Sequence, residues 1–275
     1  MSLRLFSRAG AGTATPGSVG GVAGLEPSTR PVRRQFRNEW KYYISLWDAD
    51  ALRARIAAAV PHDEHAPEGG YAIRSLYFDD YWDSAYYNKI DGVQHRTKWR
   101  VRIYNYSDAT IKLERKVKDG AYIYKQSARL SREEFERIID GDYAFLLDSP
   151  QNLCREFYVA CVSQVMRPKV IVDYEREPFV FDAGTVRITF DSNLRAAAPT
   201  GDIFNPNLPT YDVLPYGKTI LEVKFTEFYP RFIREMLPPG AHDLSAISKY
   251  VLCYEQMHHR SDVLSMLTKS EKAWY

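Results

Sequence analysis

The sequence predicts an α+β fold: a mainly antiparallel sheet closed into a β-tunnel, a barrel with a polar lumen, flanked by helices. In Lys98-Trp-Arg-Val-Arg-Ile-Tyr104 the two-residue period of a strand puts Lys98, Arg100 and Arg102 on one face and Trp99, Val101 and Ile103 on the other. Strands far apart in sequence repeat the charged face, with Glu39 and Lys41, Glu114 and Lys116, Tyr174 and Arg176, and Glu222 and Lys224. One such hairpin is an ordinary sheet with a solvated side. Several together suggest a shared polar interior whose outer, apolar side lies under helices. The 20 Tyr and 13 Phe favour strands as well.

Residues 1–32 are rich in Gly, Ala, Ser, Thr and Pro and are expected to form a disordered tail, leaving residues 33–275 as one domain. The first strand runs from Arg33 to Ile44, with Arg37, Glu39, Lys41 and Tyr43 on one face. Ser45 caps a helix to about Ala59, which Pro61 ends. A loop to Gly70 carries His62 and His65. Tyr71 to Asp79 is a strand, Tyr81 to Asn88 a short helix, and Asp91-Gly92 a turn. The strand from Lys98 then turns at Asn105 to Asp108 into Ile111 to Val117, with Lys112, Glu114 and Lys116 on its polar face. Asp119-Gly120 closes a second hairpin into Tyr122 to Ser127. Ser131 with Glu134 forms a capping box for a helix to Asp140, and residues 150–166 are helical up to Pro168. Val170 to Phe181 and Val186 to Asp191 are strands, the latter with Arg187, Thr189 and Asp191 on one face. A polar loop follows to Gly217, then a strand from Thr219 to Phe225. A helix from Ala241 to about Leu267 holds Ser248-Lys249-Tyr250 near its start.

Composition excludes several function classes. A net charge of +2 from 37 basic and 35 acidic residues is too balanced for a general polyanion coat, so an anion site must come from local clustering. Cys154, Cys161 and Cys253 form no CxxC pair and leave an odd thiol under any pairing, which points to a reducing, cytoplasmic setting. No apolar run reaches the length of a membrane span, and no secretory signal core is present. Gly217-Lys218-Thr219 resembles the end of a P-loop, but Asp212 stands where its first glycine belongs and a strand follows. His258-His259 reads as a solvated helix end, and neither a G-x-S-x-G elbow nor an HExxH pair occurs. Nucleic-acid binding by an open barrel is disfavoured, because the basic residues are not interleaved with exposed aromatics.

The interior candidates are therefore Lys41, Lys98, Arg100, Arg102, Lys116, Arg176 and Lys224, with Glu39, Glu114 and Glu222 among them. A ring of Arg and Lys makes charge-assisted hydrogen bonds to phosphate oxygens, Arg through its planar fork. A carboxylate among such cations makes sense if it holds a divalent metal that bridges phosphates. Glu114, between two lysines, also reads as a holder of its neighbours.

Seven segments, taken in order, resemble the motifs of the VTC domain, the catalytic domain of the vacuolar transporter chaperone polyphosphate polymerase, in the triphosphate tunnel metalloenzyme superfamily. They are Arg37-Asn-Glu-Trp-Lys-Tyr-Tyr-Ile, Ser75-Leu-Tyr-Phe-Asp79, Lys98 to Tyr104, Leu113-Glu-Arg-Lys116, Tyr174-Glu-Arg176, Leu221-Glu-Val-Lys224 and Ser248-Lys-Tyr250. The resemblance runs from about residue 33 to 259. It implies an antiparallel tunnel in which the terminal phosphoryl group of ATP passes to a growing polyphosphate chain with Mn²⁺ or Mg²⁺. By motif match Lys41, Arg100, Arg102, Lys116, Arg176 and Lys249 hold phosphates, Tyr174 and Ser248 assist, and Glu222 binds the metal. Lys98, Lys224 and Glu39 fill the remaining polar slots, the lysines toward phosphate and Glu39 toward the metal. Sister tunnel enzymes carry a fuller ExExK first strand for two-metal hydrolysis, whereas this chain has Arg37 at its first acidic position, which favours transfer over hydrolysis. The competing expectations are a tunnel triphosphatase and a non-catalytic polyphosphate or nucleotide sensor. The eukaryotic polymerase also has an N-terminal regulatory domain and a membrane region. Neither is read in this sequence, so translocation and inositol-phosphate regulation are not carried over, and a separate membrane partner stays open.

Overall fold

Strand grammar organises the computed structural model, which describes residues 38–66, 69–120, 122–182, 185–226, 228–236 and 246–272. The expected tail over residues 1–32, and Arg33 to Arg37 of the first expected strand, lie outside the described residues. Strand β1 (Asn38–Ser45) leads directly into helix α1 (Leu46–Ala57), because the Ser45 hydroxyl accepts the Asp48 N–H at 3.0 Å and starts the helix. Strand β2 (Tyr71–Asp79) precedes the short α2 (Ser84–Ile90). Strands β3 (His95–Tyr104), β4 (Ser107–Asp119) and β5 (Tyr122–Leu130) form two hairpins. The first turn is tighter than the sequence suggests. Asn105 and Tyr106 both take left-handed backbone angles, φ 48° and 58°, so two residues make the turn and Ser107 and Asp108 join β4.

Helix α3 (Arg132–Ile139) has the expected capping box, with Glu134 N–H on the Ser131 hydroxyl at 3.0 Å and Ser131 N–H on the Glu134 carboxylate at 2.7 Å. Helix α4 (Asn152–Ser163) is followed by the long hairpin β6 (Arg167–Phe181) and β7 (Val186–Ala197). Then come β8 (Tyr211–Asp212), β9 (Lys218–Phe225), α5 (Arg231–Met236) and α6 (Lys249–Lys272). Gly217, at φ 72°, sits in the turn before β9 and its carbonyl accepts the Leu46 N–H at 3.0 Å, so the P-loop-like triplet serves a strand. Helix α6 starts later than its expected start at Ala241. Residues 241–245 lie outside the described set, and Ser248 immediately precedes the first turn, accepting the Val251 N–H at 3.4 Å. His258 and His259 fall within α6 rather than at its end, with the His258 ring 4.3 Å from that of Tyr254.

All pairings are antiparallel, in a nine-stranded sheet of order β1-β9-β7-β6-β2-β3-β4-β5, with β8 on β7. The expected closed barrel needs correction here: β1 and β5 are the two ends of the path and do not pair. Across the charged face Lys116 of β4 donates to Glu39 of β1 at 3.1 Å.

The apolar face of the sheet lies outward under helices, as the alternation predicts. Trp99, Val101, Ile103, Ile111 and Leu113 pack beneath α3 and α4, where Phe157 meets Phe78 and Trp99 at 5.2 and 5.0 Å. Tyr42, Ile44, Ile188, Leu221 and Val223 pack beneath α1 and α5. A third cluster was not foreseen. On the concave side Ile73, Tyr77, Val172 and Tyr174 take the first turns of α6, and Tyr77 stacks on Tyr250 at 5.0 Å. The Tyr250 hydroxyl donates to the buried Asp79 carboxylate at 2.6 Å, which also accepts the Ala85 and Tyr86 N–H groups. This contact anchors the start of α6. Tyr250→Phe is expected to cost about 1.5–3 kcal/mol of unfolding free energy, the range for a hydrogen bond to a charged group. Urea titration reads it, and an unchanged midpoint removes the anchor role. Among the described residues no helix is long and apolar enough to cross a membrane.

Candidate functional site

Register brings the charged faces together. Across β1 and β9, Glu39 faces Lys224 and Lys41 faces Glu222; across β7 and β9, Thr189 faces Glu222 and Arg187 faces Lys224. Arg176 faces Asp191 between β6 and β7. Ser75 faces Arg102 and Tyr77 faces Arg100 between β2 and β3, while Arg100 faces Glu114 and Lys98 faces Lys116 between β3 and β4. The first turn of α6 then covers one end of this interior. Lys249 reaches Asp191 at 2.5 Å, Lys98 donates to the Ser248 hydroxyl at 3.0 Å, and Lys41 donates to the Ile247 carbonyl at 3.3 Å. The charged residues singled out from the sequence meet one another across the paired strands, joined by Ser248 just before α6 and by Lys249, its first residue.

Each carboxylate is tied to cations. Glu39 holds Lys41 at 2.7 Å and Lys116 at 3.1 Å. Glu114 takes Arg100 Nε and Nη2 at 2.7 and 2.6 Å and Lys125 at 2.8 Å, which resolves it as the holder of its neighbours. Asp191 receives both arms of Arg176 at 2.7 Å. Glu222 pairs with Lys224 and faces Arg176 and Lys249 at 3.7 and 3.8 Å. Burial works to raise the Glu222 pKa, yet Lys224, Lys41, Lys249 and Arg176 together hold it well below the usual carboxylate range. Asp191 follows the same pattern, its burial overcome by Arg176 and Lys249. Burial likewise opposes ionisation of the Tyr174 phenol, but Arg102 and Arg176 pull its pKa down, the mark of a net positive surrounding.

The cations outnumber these carboxylates, and two are left without close acidic partners. Arg102, 7% exposed, bonds only the Ser75 hydroxyl at 3.1 Å and the Tyr174 hydroxyl at 3.4 Å, with Glu114 at 3.8 Å. Lys98 has no carboxylate contact and lies 4.8 Å over the Tyr250 ring. Such an interior offers directed N–H donors to a ligand of many anionic oxygens. Among the described residues the thiols are buried and not activated, Cys161 being pushed up to about 12. Sequence reasoning missed Asp191, Ser75 and Tyr77 as interior partners. Asp191 stood on the polar face with Arg187 and Thr189, and Ser75 and Tyr77 alternate on β2. What the sequence lacked was the cross-strand register.

Glu39 and Glu222 are diagonal neighbours across the β1–β9 pair; burial and the Glu222 charge work to raise the Glu39 pKa, but Lys116 and Lys41 hold it below the usual carboxylate range. Among the described residues no group of three or more His, Cys, Asp and Glu is arranged around a metal position. Oxygen donors from one or two carboxylates, completed by substrate phosphates, are nevertheless the usual set for Mg²⁺, so the donor chemistry fits such an ion.

An antiparallel sheet with one apolar, helix-covered face and one face lined by Arg and Lys defines an α+β protein with a cationic sheet face. Residues 36–258 match the family model described as the VTC domain, and the chain belongs to that family. No curated protein matches it in sequence. Two solved structures from Pyrococcus horikoshii are similar in fold. PH1819 has 12% identity, covering 80% of this chain and 99% of its own, with a TM-score of 0.42. PH1012 has 11% identity, covering 78% and 98%, with a TM-score of 0.42.

Proposed function

We propose that the chain is a polyphosphate polymerase that transfers the terminal phosphoryl group of ATP to a growing polyphosphate chain inside the tunnel. The observation that carries this reading is the excess of cations over carboxylates on the inner strand faces, where Arg102 has its nearest acid, Glu114, only at 3.8 Å and Lys98 bonds a hydroxyl. Arg100, Arg102 and Arg176 neutralise the phosphoryl group in flight. Lys41, Lys116, Lys224 and Lys249, aided by Tyr174 and Ser248, hold the flanking phosphates. As the bond from the terminal phosphorus to its bridging oxygen breaks, a bond to the terminal oxygen of the acceptor forms and ADP leaves. The acceptor is already an anion, so no general base is required. Glu222 and Glu39 would hold Mn²⁺ or Mg²⁺, which when bound offsets the charge on the phosphate oxygens. The lysines on these carboxylates exchange an acidic partner for phosphate oxygens as the ligand enters.

Pure protein with ATP and Mn²⁺ is expected to yield long polyphosphate, resolved by gel electrophoresis. Orthophosphate as the only product makes the chain a tunnel triphosphatase. Salt-sensitive ATP binding without turnover under either metal makes it a sensor.

A further inference from the structure

Lys98 differs from the other tunnel lysines. Lys41 and Lys116 share Glu39, Lys224 pairs with Glu222, and Lys249 pairs with Asp191. Among the described residues Lys98 Nζ has one hydrogen-bond partner, the Ser248 hydroxyl at 3.0 Å, and the Tyr250 ring 4.8 Å from it. The charged groups that act on it most strongly are Lys116 from β4, Lys41 from β1, Lys89 from α2 and Arg96 from its own strand, each a cation. From α6 it meets only the hydroxyl and the ring. An ammonium in that position carries the cost of burial and the repulsion of its neighbours with no carboxylate to offset either.

We infer that Lys98 stands as a neutral amine in the ligand-free tunnel and takes up a proton when a phosphate oxyanion arrives beside it, coupling nucleotide binding to proton uptake. The inference rests on the tunnel being an ATP site. Burial, followed by the repulsion of Lys116 and Lys41, holds the Lys98 pKa well below the ordinary ammonium value. A phosphate group supplies the missing negative charge and raises it. The group therefore binds its proton more tightly in the complex than in the free protein. It follows that affinity is highest below the free-state pKa and declines as pH rises toward the pKa of the complex. Burial lowers the Lys116 and Lys224 pKa values too, but Glu39 and Glu222 beside them work against that fall, an offset absent from the named neighbours of Lys98.

Calorimetric titration with ATP, without divalent cation and at about pH 8.5, where the terminal phosphate is fully ionised, measures the coupling. Two buffers of different ionisation enthalpy give the proton count. Native protein is expected to take up about one proton more per ATP than Lys98→Arg, whose guanidinium keeps its charge and stays in reach of the same phosphate. Within the titration window the native affinity falls up to about tenfold per pH unit, while that of Lys98→Arg is flat. ATP binding with equal proton counts in the two proteins overturns the inference and leaves the ATP site standing. Failure of ATP to bind the native protein removes both.

Discussion

Arg102→Met is expected to lower ATP turnover about 10³-fold while leaving the protein folded, a loss of the size seen when a guanidinium is withdrawn from phosphoryl transfer. The choice among three arginines follows from their partners. Arg100 is clamped by Glu114 and by the Tyr77 hydroxyl at 2.7 Å, and Arg176 gives both arms to Asp191. Those two need ligand oxygens to compete with a carboxylate. At Arg102 a phosphate displaces two neutral hydroxyls and faces Glu114 only at 3.8 Å, so it gains most of the hydrogen-bond strength there. The fold tolerates the change because Glu114 keeps Arg100 and Lys125 as close partners. Arg102→Lys restores the charge but not the planar fork, and is expected to recover under about a tenth of the loss. Steady-state kinetics beside a urea titration decides the matter. Turnover within a few-fold of native in Arg102→Met, with unchanged stability, returns this residue to an ordinary polar lining.

Why the site was so largely legible in the sequence comes down to periodicity. A strand fixes which side chains share a face, so Lys98, Arg100 and Arg102 were paired with an apolar reverse face before any partner strand was known. The same alternation sorted Glu39 with Lys41 and Glu222 with Lys224. Alternation does not say which strands meet. The register setting Arg176 against Asp191, or Ser75 against Arg102, joins segments 15 and 27 residues apart and depends on turn and bulge geometry. Closure was misjudged for a related reason: a polar face on several strands asks for a shared side but not for a hydrogen-bonded seam between β1 and β5. Outside the tunnel, Arg74 is 1% exposed and pairs with Asp173 at 2.6 Å while donating to the Ile203 carbonyl at 3.0 Å. Its position on β2 reads as one polar residue on an otherwise apolar face, and nothing local reveals that Asp173, 99 positions away, satisfies it.

Glu222→Gln separates the metal role of that carboxylate from a plain counter-ion role, because the two predict different pairs of changes. The side chain is 3% exposed and surrounded by Lys224, Lys41, Lys249 and Arg176. Removing its charge leaves the Lys224 ammonium unmatched, so the ligand-free protein is expected to lose about 3–5 kcal/mol, the range for breaking a buried pair. Tripolyphosphate supplies the lost charge from outside, so its binding without metal tightens and restores the thermal midpoint. If Glu222 also holds the ion, Mn²⁺-stimulated turnover falls about 10²–10³-fold in the same variant, since the tunnel keeps its cations but loses the oxygen that positions the metal. Tighter anion binding with Mn²⁺-stimulated turnover retained assigns Glu222 to charge balance alone and moves the metal to Glu39. Weaker anion binding contradicts both roles, because no electrostatic account of a cationic interior loses affinity for a polyanion when a carboxylate is neutralised.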